Sequence, residues 1–142
     1  AVSERTSSSA SSRTMRSILE VLERQSEPIG LFPEGVGKDV LIEAIPGTGL
    51  FLHSLSKRGI PILPAGIYEE GGVLTVRFGP PFFLDVPRQG DKEERDRPAR
   101  DQVMAHIGRL LPRRMWGPYT LAIEQLLARP DGRPPGRSGH IA

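Results

Sequence analysis

Glu34 stands in a setting that suits recognition of a polar ligand. It lies between Pro33 and Gly35, directly after the apolar run Ile29–Phe32, and Lys38 follows four residues later. We predict that Ile29–Phe32 is a short buried strand, which Pro33 keeps extended at its end. Because ligands bind beyond the carboxyl ends of the strands in an open parallel sheet, we expect Glu34 at such a rim.

Lys38 could meet a phosphate there as a point charge. The alternative, which the residues alone leave open, is an ordinary strand-to-loop turn with a solvated Glu34. A Walker-type phosphate loop is excluded because it requires a glycine five residues before the Gly-Lys pair and Ser or Thr after it. Those two positions hold Phe32 and Asp39.

Composition excludes several other classes of site. The chain has no cysteine, and none of its three histidines has a partner at metal-ligand spacing. We interpret His53 as a solvated helix residue and His106 as a boundary residue of its helix, while His140 lies in the tail. A net charge of +2 is too small to predict a nucleic-acid partner, and no apolar run reaches the ~18 residues of a membrane span.

Hydrophobic periodicity predicts the elements that would position Glu34. After a polar start expected to be a loop or disordered, a helix is predicted over residues 12–25. A second helix is predicted within residues 46–59, followed by strands at Ile62–Ile67 and Val73–Phe78. We therefore predict an α/β fold: a partial, mostly parallel sheet with a terminal β-hairpin, flanked by helices, in which the first strand, the helix and the second strand form a right-handed β-α-β unit.

The second half of the chain is predicted to be helical. The charged run Arg88–Asp101 mixes signs and is interpreted as a solvated surface. It leads into a helix with an apolar face from Val103 to Leu111, and a last short helix follows at Thr120–Ala128. Residues 1–128 would form one α/β domain, and the Pro/Gly/Arg-rich residues 129–142 a disordered tail.

Four stretches, in this order and spacing, resemble blocks of the glycerolipid acyltransferases, typified by 1-acylglycerol-3-phosphate acyltransferase. Leu31–Gly35 is similar to a Phe-Pro-Glu-Gly block, and Gly59–Ile67 to a block of the Pro-Val-Val-Pro-Val type. Val73–Phe82 resembles the family's hairpin, and Leu110–Tyr119 its Leu-Pro-x-x-x-x-Gly-x-Tyr ending.

The resemblance implies an incomplete acyltransferase fold. The implied reaction transfers a fatty acyl group from acyl-CoA or acyl-carrier protein to the hydroxyl of a lysophospholipid or related glycerolipid, without a further cofactor. It also implies a cytoplasmic protein, peripheral to the membrane, and an acceptor site to which an arginine near the start contributes. The predicted substrate-binding residues are Arg5, Phe32, Pro33, Glu34, Gly35 and Lys38.

The chain departs from the family pattern in two ways. The family usually continues its first block with Thr-Arg-Ser, whereas this chain continues with Val36-Gly37-Lys38. The family's general base is a histidine in a His-x4-Asp block, and no histidine here is followed by aspartate at that spacing. Because that block lies upstream in the family and the chain begins with Ala1, we expect a fragment that lacks its general base and is inactive alone.

Two other hypotheses remain at this stage. One is a non-catalytic module that binds lipid or a membrane surface. The other is an unrelated α/β domain in which a turn has the sequence Phe-Pro-Glu-Gly by chance. For a fragment, we also expect the remaining sheet to expose an edge and an apolar face.

Overall fold

The computed structural model describes the backbone of residues 3–25 and 27–129, and the side chains of residues 13–24 and 27–129. The chain divides into two compact units, Ala1–Phe32 and Pro33–Ala142. The tail predicted from residue 129 onward lies, apart from Arg129 itself, outside the described residues.

The first unit contains one long helix, α1 (Ser3–Gln25). Its apolar side chains at helical spacing, among them Ile18, Leu19 and Leu22, are half-buried. The predicted loop or disordered start is wrong for residues 3–11, because extending an existing helix by one residue costs far less than nucleating a new one. Residues 27–32 form neither helix nor strand.

The sheet in the described part of the chain is a two-stranded antiparallel hairpin, β1 (Ala65–Glu70) and β2 (Val73–Phe78). Gly71 and Gly72 form its two-residue turn, both with positive φ, as favoured turns of this length require. An isolated antiparallel bridge between Ile62 and Phe82 extends the pairing beyond the hairpin. The predicted mostly parallel sheet, and with it the β-α-β unit and the incomplete acyltransferase fold, is therefore wrong.

The predicted strand at Ile29–Phe32 is the main source of that error. Pro28 and Pro33 flank it and cannot donate to a ladder, and Gly30 weakens a strand from inside. The second predicted strand, Ile62–Ile67, is displaced to Ala65–Glu70, where it pairs with Val73–Phe78 as the predicted hairpin requires. Without a neighbour to satisfy its backbone groups, a four-residue apolar run does not form a strand.

Two helices pack against each other in the second unit, α2 (Thr48–Lys57) and α3 (Lys92–Gly108). α3 begins with a capping box: Asp91 Oδ1 accepts from the Glu94 N–H at 2.8 Å, and Glu94 Oε2 accepts from the Asp91 N–H at 2.9 Å. The charged run predicted as a solvated surface therefore contains the first turns of this helix. That interpretation is wrong at Asp96 and Arg100, both of which are buried.

A short helix, α4 (Thr120–Leu127), follows two single 3-10 turns at 113–115 and 117–119 and closes the core. The core joins α3, α4, β1 and the segment around Leu41. Its members are Leu41, Ala44, Tyr68, Met104, Ala105, Leu111, Trp116, Tyr119, Ile123 and Leu126.

Candidate functional site

The structure brings four of the six predicted binding residues into one loop, residues 33–47. Pro33 is buried, Glu34 is half-buried, and Gly35 and Lys38 are exposed. The other two belong to the first unit. Phe32 is exposed at its end, and Arg5 is part of α1, with its side chain outside the described residues.

Glu34 is hydrogen-bonded within its own loop. Its Oε2 accepts from the backbone N–H of Ile42 at 2.7 Å, and the Pro33 carbonyl accepts from the Ile45 N–H at 2.8 Å. These two bonds fold the loop back on itself, so that its two halves lie side by side. The Glu34 carboxylate therefore has a structural partner, which the sequence did not predict, and stands at the rim of the loop and not at the tip of a strand.

Gly35 occupies a position that suits glycine for two reasons. Its φ is +73°, in the left-handed region, and a Cβ built there would lie 2.7 Å from Ile45 Cδ1. A larger residue would therefore strain the backbone and press on the opposite half of the loop. The bend after Glu34 depends on this glycine.

The far half of the loop is anchored to the helical core. The backbone N–H of Leu41 donates to the Met115 carbonyl at 2.8 Å. The backbone N–H of Ala44 donates to the Tyr119 hydroxyl at 3.1 Å, and this contact is buried. The segment after Leu110 thus holds the loop at two points.

A buried ion pair on α3 provides the third anchor. Arg100 is 2% exposed, and its Nε lies 2.8 Å from Oδ2 of Asp96. Arg100 Nη1 donates to the Ala44 carbonyl at 2.9 Å and Nη2 donates to Glu93 Oε1 at 2.7 Å. Glu43 also lies within ion-pair distance of Nη1, at 3.4 Å.

Asp96 extends this network to the next helix. Its Oδ2 accepts from the Gly47 N–H and its Oδ1 from the Leu50 N–H, both at 2.9 Å. Gly47 is the N-cap of α2 and has no side chain to cap the helix. Asp96 supplies that cap from α3, so the end of the loop and the start of α2 are both fixed to the same ion pair.

Sequence reasoning missed Asp96 and Arg100, although a signal was present. Asp96, Ala99, Arg100 and Val103 follow the i, i+3, i+4, i+7 spacing of one helix face. An acid and a base at i, i+4 on the same face as two apolar residues favour a buried ion pair over a solvated charged run.

The two described histidines, His53 and His106, both have lowered pKa values. His106 is buried and stacks on Phe82 with ring centroids 3.7 Å apart. Burial, and next the positive charge of Arg109, lower the pKa of His106 to about 4. The pKa of His53 is lowered by burial first and by Lys57 next.

Within the described residues, no group of three or more acidic or histidine side chains lies where it could hold a metal ion. No helix within the described ranges combines the length and apolar character needed to cross a bilayer.

The hairpin leaves one face exposed. Ile67, Leu74, Val76 and Phe78 share this face, which we call the apolar hairpin face. Tyr68, on the opposite face, is buried in the core. A contiguous exposed apolar face of this kind often marks an interaction surface.

Comparison of the chain with known protein families, with curated proteins and with solved structures finds no match.

Proposed function

We propose that this chain is the acceptor-binding part of a glycerolipid acyltransferase. The full enzyme would transfer a fatty acyl group from acyl-CoA or acyl-carrier protein to the hydroxyl of a lysophospholipid or related glycerolipid. The 33–47 loop would bind the acceptor headgroup, and the general base would come from outside the described residues. Such a protein would be cytoplasmic and act at the membrane surface without spanning it.

The supporting observation is that Leu110–Tyr119 contacts the second and third of the stretches that resemble the family, and also the loop that follows the first. Tyr119 binds Ala44 in the loop that the first stretch opens. Gly66, in the second stretch, lies so close to Leu110 that an added Cβ would be 2.9 Å from the Leu110 side chain. For Gly79, in the third stretch, the corresponding distance is 3.5 Å. Stretches that are separate in the sequence therefore meet around one segment.

The loop also carries suitable chemistry for a glycerol phosphate. A carboxylate can accept about four hydrogen bonds, so Glu34 can accept from a glycerol hydroxyl while it holds Ile42. Lys38 is exposed in the same loop and can approach a phosphate as a point charge. Glu34 would thus recognise the hydroxyl and Lys38 the phosphate, both from the 33–47 loop.

Binding is tested by nuclear magnetic resonance titration of the chain with a short-chain lysophosphatidic acid. The monoacylglycerol of the same chain length serves as the probe without phosphate. We expect shifts in the 33–47 amides and a Lys38→Gln variant that binds the phosphate probe about two- to fivefold more weakly, as for the loss of one exposed ionic contact. Lys57→Gln, an exposed lysine at the end of α2, is the matched control and should bind like the parent chain.

Catalysis is tested by thioester release from acyl-CoA. The 142-residue chain should show none above background, because none of its histidines stands in a His-x4-Asp block. Activity in the 142-residue chain would refute the missing-base argument. A parent chain that binds neither probe would refute the acceptor site itself.

A second candidate is a non-catalytic module that binds a lipid surface through the apolar hairpin face. Leu74 and Val73 are neighbours on opposite faces of β2, and they are similarly exposed, 69% and 63%. If this face enters a bilayer surface, Leu74→Lys should weaken co-sedimentation with phosphatidylcholine vesicles while Val73→Lys should not. If the two variants behave alike and the parent chain binds neither the lysophosphatidic acid nor the monoacylglycerol, neither function is supported.

A further inference from the structure

We propose that Arg100 is a positioning residue for the 33–47 loop, and that its hydrogen bonds set the affinity of the loop for the anionic headgroup. This inference rests on the proposed function of that loop. Arg100 does not touch the predicted ligand. It would act through Ala44, whose carbonyl it holds at 2.9 Å.

A short path of hydrogen bonds joins Arg100 to the predicted binding residues. Ala44 is held on both sides, its carbonyl by Arg100 and its N–H by Tyr119. The next residue, Ile45, donates to the Pro33 carbonyl at 2.8 Å. Pro33 directly precedes Glu34, so moving the Ala44 peptide would move the turn that carries the carboxylate.

The geometry of Arg100 is suited to fixing a position. Its planar guanidinium carries donors in a rigid arrangement, and here it contacts three residues at once: Asp96 and Glu93 on α3, and Ala44 in the loop. Lysine has the same charge but concentrates it at one atom, so it cannot keep all three contacts in the same geometry. The residue type therefore matters as well as the charge.

A buried ion pair is weak support for a role in stability alone. Taking two charges out of water is costly, and well-packed apolar replacements of both partners are often as stable. Such a replacement would still leave the Ala44 carbonyl without its donor. The contact between Arg100 and Ala44 lies on the path to Glu34, which favours a positioning role.

The test measures the dissociation constant of the short-chain lysophosphatidic acid for Arg100→Lys, Arg100→Met and Tyr119→Phe. Tyr119→Phe is included because it removes one hydrogen bond to Ala44 without unpairing the buried charge, and it should fold even if Arg100→Met does not. Arg97→Met, an exposed arginine on the same helix, is the control. All titrations are run at a temperature where unfolding curves show each variant to be folded.

We expect Tyr119→Phe to weaken binding on the order of tenfold, Arg100→Lys to bind better than Arg100→Met, and Arg97→Met to bind like the parent chain. The Ile42 amide should shift in the weakened variants before ligand is added, because its bond to Glu34 reports the shape of the loop. Folded variants that bind like the parent chain would overturn the positioning role while leaving the proposed function intact. A parent chain that does not bind the probe would overturn both.

Discussion

The carboxylate of Asp96 caps a helix other than its own, accepting a 2.9 Å hydrogen bond from the backbone N–H of Leu50. The first N–H groups of a helix have no partner within the helix, and the N-cap of α2 is a glycine. The start of α2 therefore depends on a side chain 46 residues away in the sequence. Because Asp96 also pairs with Arg100, one carboxylate links α2, α3 and the loop before α2.

Replacing Asp96 with alanine should destabilise the protein strongly. The change removes two hydrogen bonds at the start of α2 and leaves the Arg100 charge buried without its buried partner, so we expect a loss of about 3–5 kcal/mol in the free energy of unfolding. Urea unfolding of the parent chain and of Asp96→Ala measures this loss. Glu93→Ala removes a partner of Arg100 that is 63% exposed, and should cost at most about 1 kcal/mol. Equal losses in the two variants would contradict the buried cap.

Replacing Gly49 with alanine should also destabilise the protein, although alanine favours helices by about 1 kcal/mol over glycine. A Cβ at Gly49 would lie 2.4 Å from the Asp96 carbonyl oxygen and 2.8 Å from Ala99 Cβ. α2 must then move away from α3, which we expect to cost about 1–3 kcal/mol in urea unfolding.

Gly37→Ala is the matched control for this change. A Cβ at Gly37 has no atom within 4 Å, and its φ is not positive. Alanine there should leave stability unchanged or raise it by up to about 1 kcal/mol, because it restricts the unfolded chain. If Gly49→Ala behaves like Gly37→Ala, the close approach of the two helices is not as described.

The burial of His106 predicts a dependence of stability on pH. Its pKa in the folded protein, about 4, lies below the value of 6.5 expected when it is exposed. Between these values the unfolded chain binds the additional proton. The stability is therefore full above pH 6.5 and falls as the pH drops toward 4, by about 3 kcal/mol in total.

Comparison with His106→Gln isolates this contribution, because titrating carboxylates affect both proteins alike. The difference in unfolding free energy between the parent chain and the variant should shrink as the pH is lowered from 7 to 4. If the unfolding free energies of the two proteins change in parallel with pH, the pKa of His106 is not lowered in the folded protein.

Glu34 has a structural role that can be separated from ligand binding. Glu34→Ala removes the acceptor for the Ile42 N–H and should speed hydrogen exchange at that amide several-fold, as expected when a hydrogen bond of about 1 kcal/mol is lost. Glu34→Gln keeps an acceptor oxygen and should exchange nearly like the parent chain. An Ile42 amide that exchanges equally in both variants would show that the carboxylate does not hold the loop.

Local patterns in the sequence were enough for several elements. The apolar spacing within residues 46–59 predicted α2, and alternation around Val73–Phe78 predicted the strand that completes the hairpin. Pro33, Gly35 and Lys38 were correctly expected to lie in a loop beside Glu34. These features depend on neighbours within a few residues, so the sequence shows them directly.

Other features were decided by partners far away in the chain. Ile29–Phe32 has the composition of a strand, but in the described structure it pairs with no other strand. Asp96 and Arg100 look like parts of a solvated charged run until α2 and the 33–47 loop are packed against them.

The sequence by itself determined α2, α4, the hairpin turn and the bend at Glu34, because propensity, periodicity and glycine geometry are local. Only the tertiary structure decided which strand pairs, which charges are buried and what holds the loop. Those outcomes depend on where distant backbone groups find hydrogen-bond partners once water is excluded.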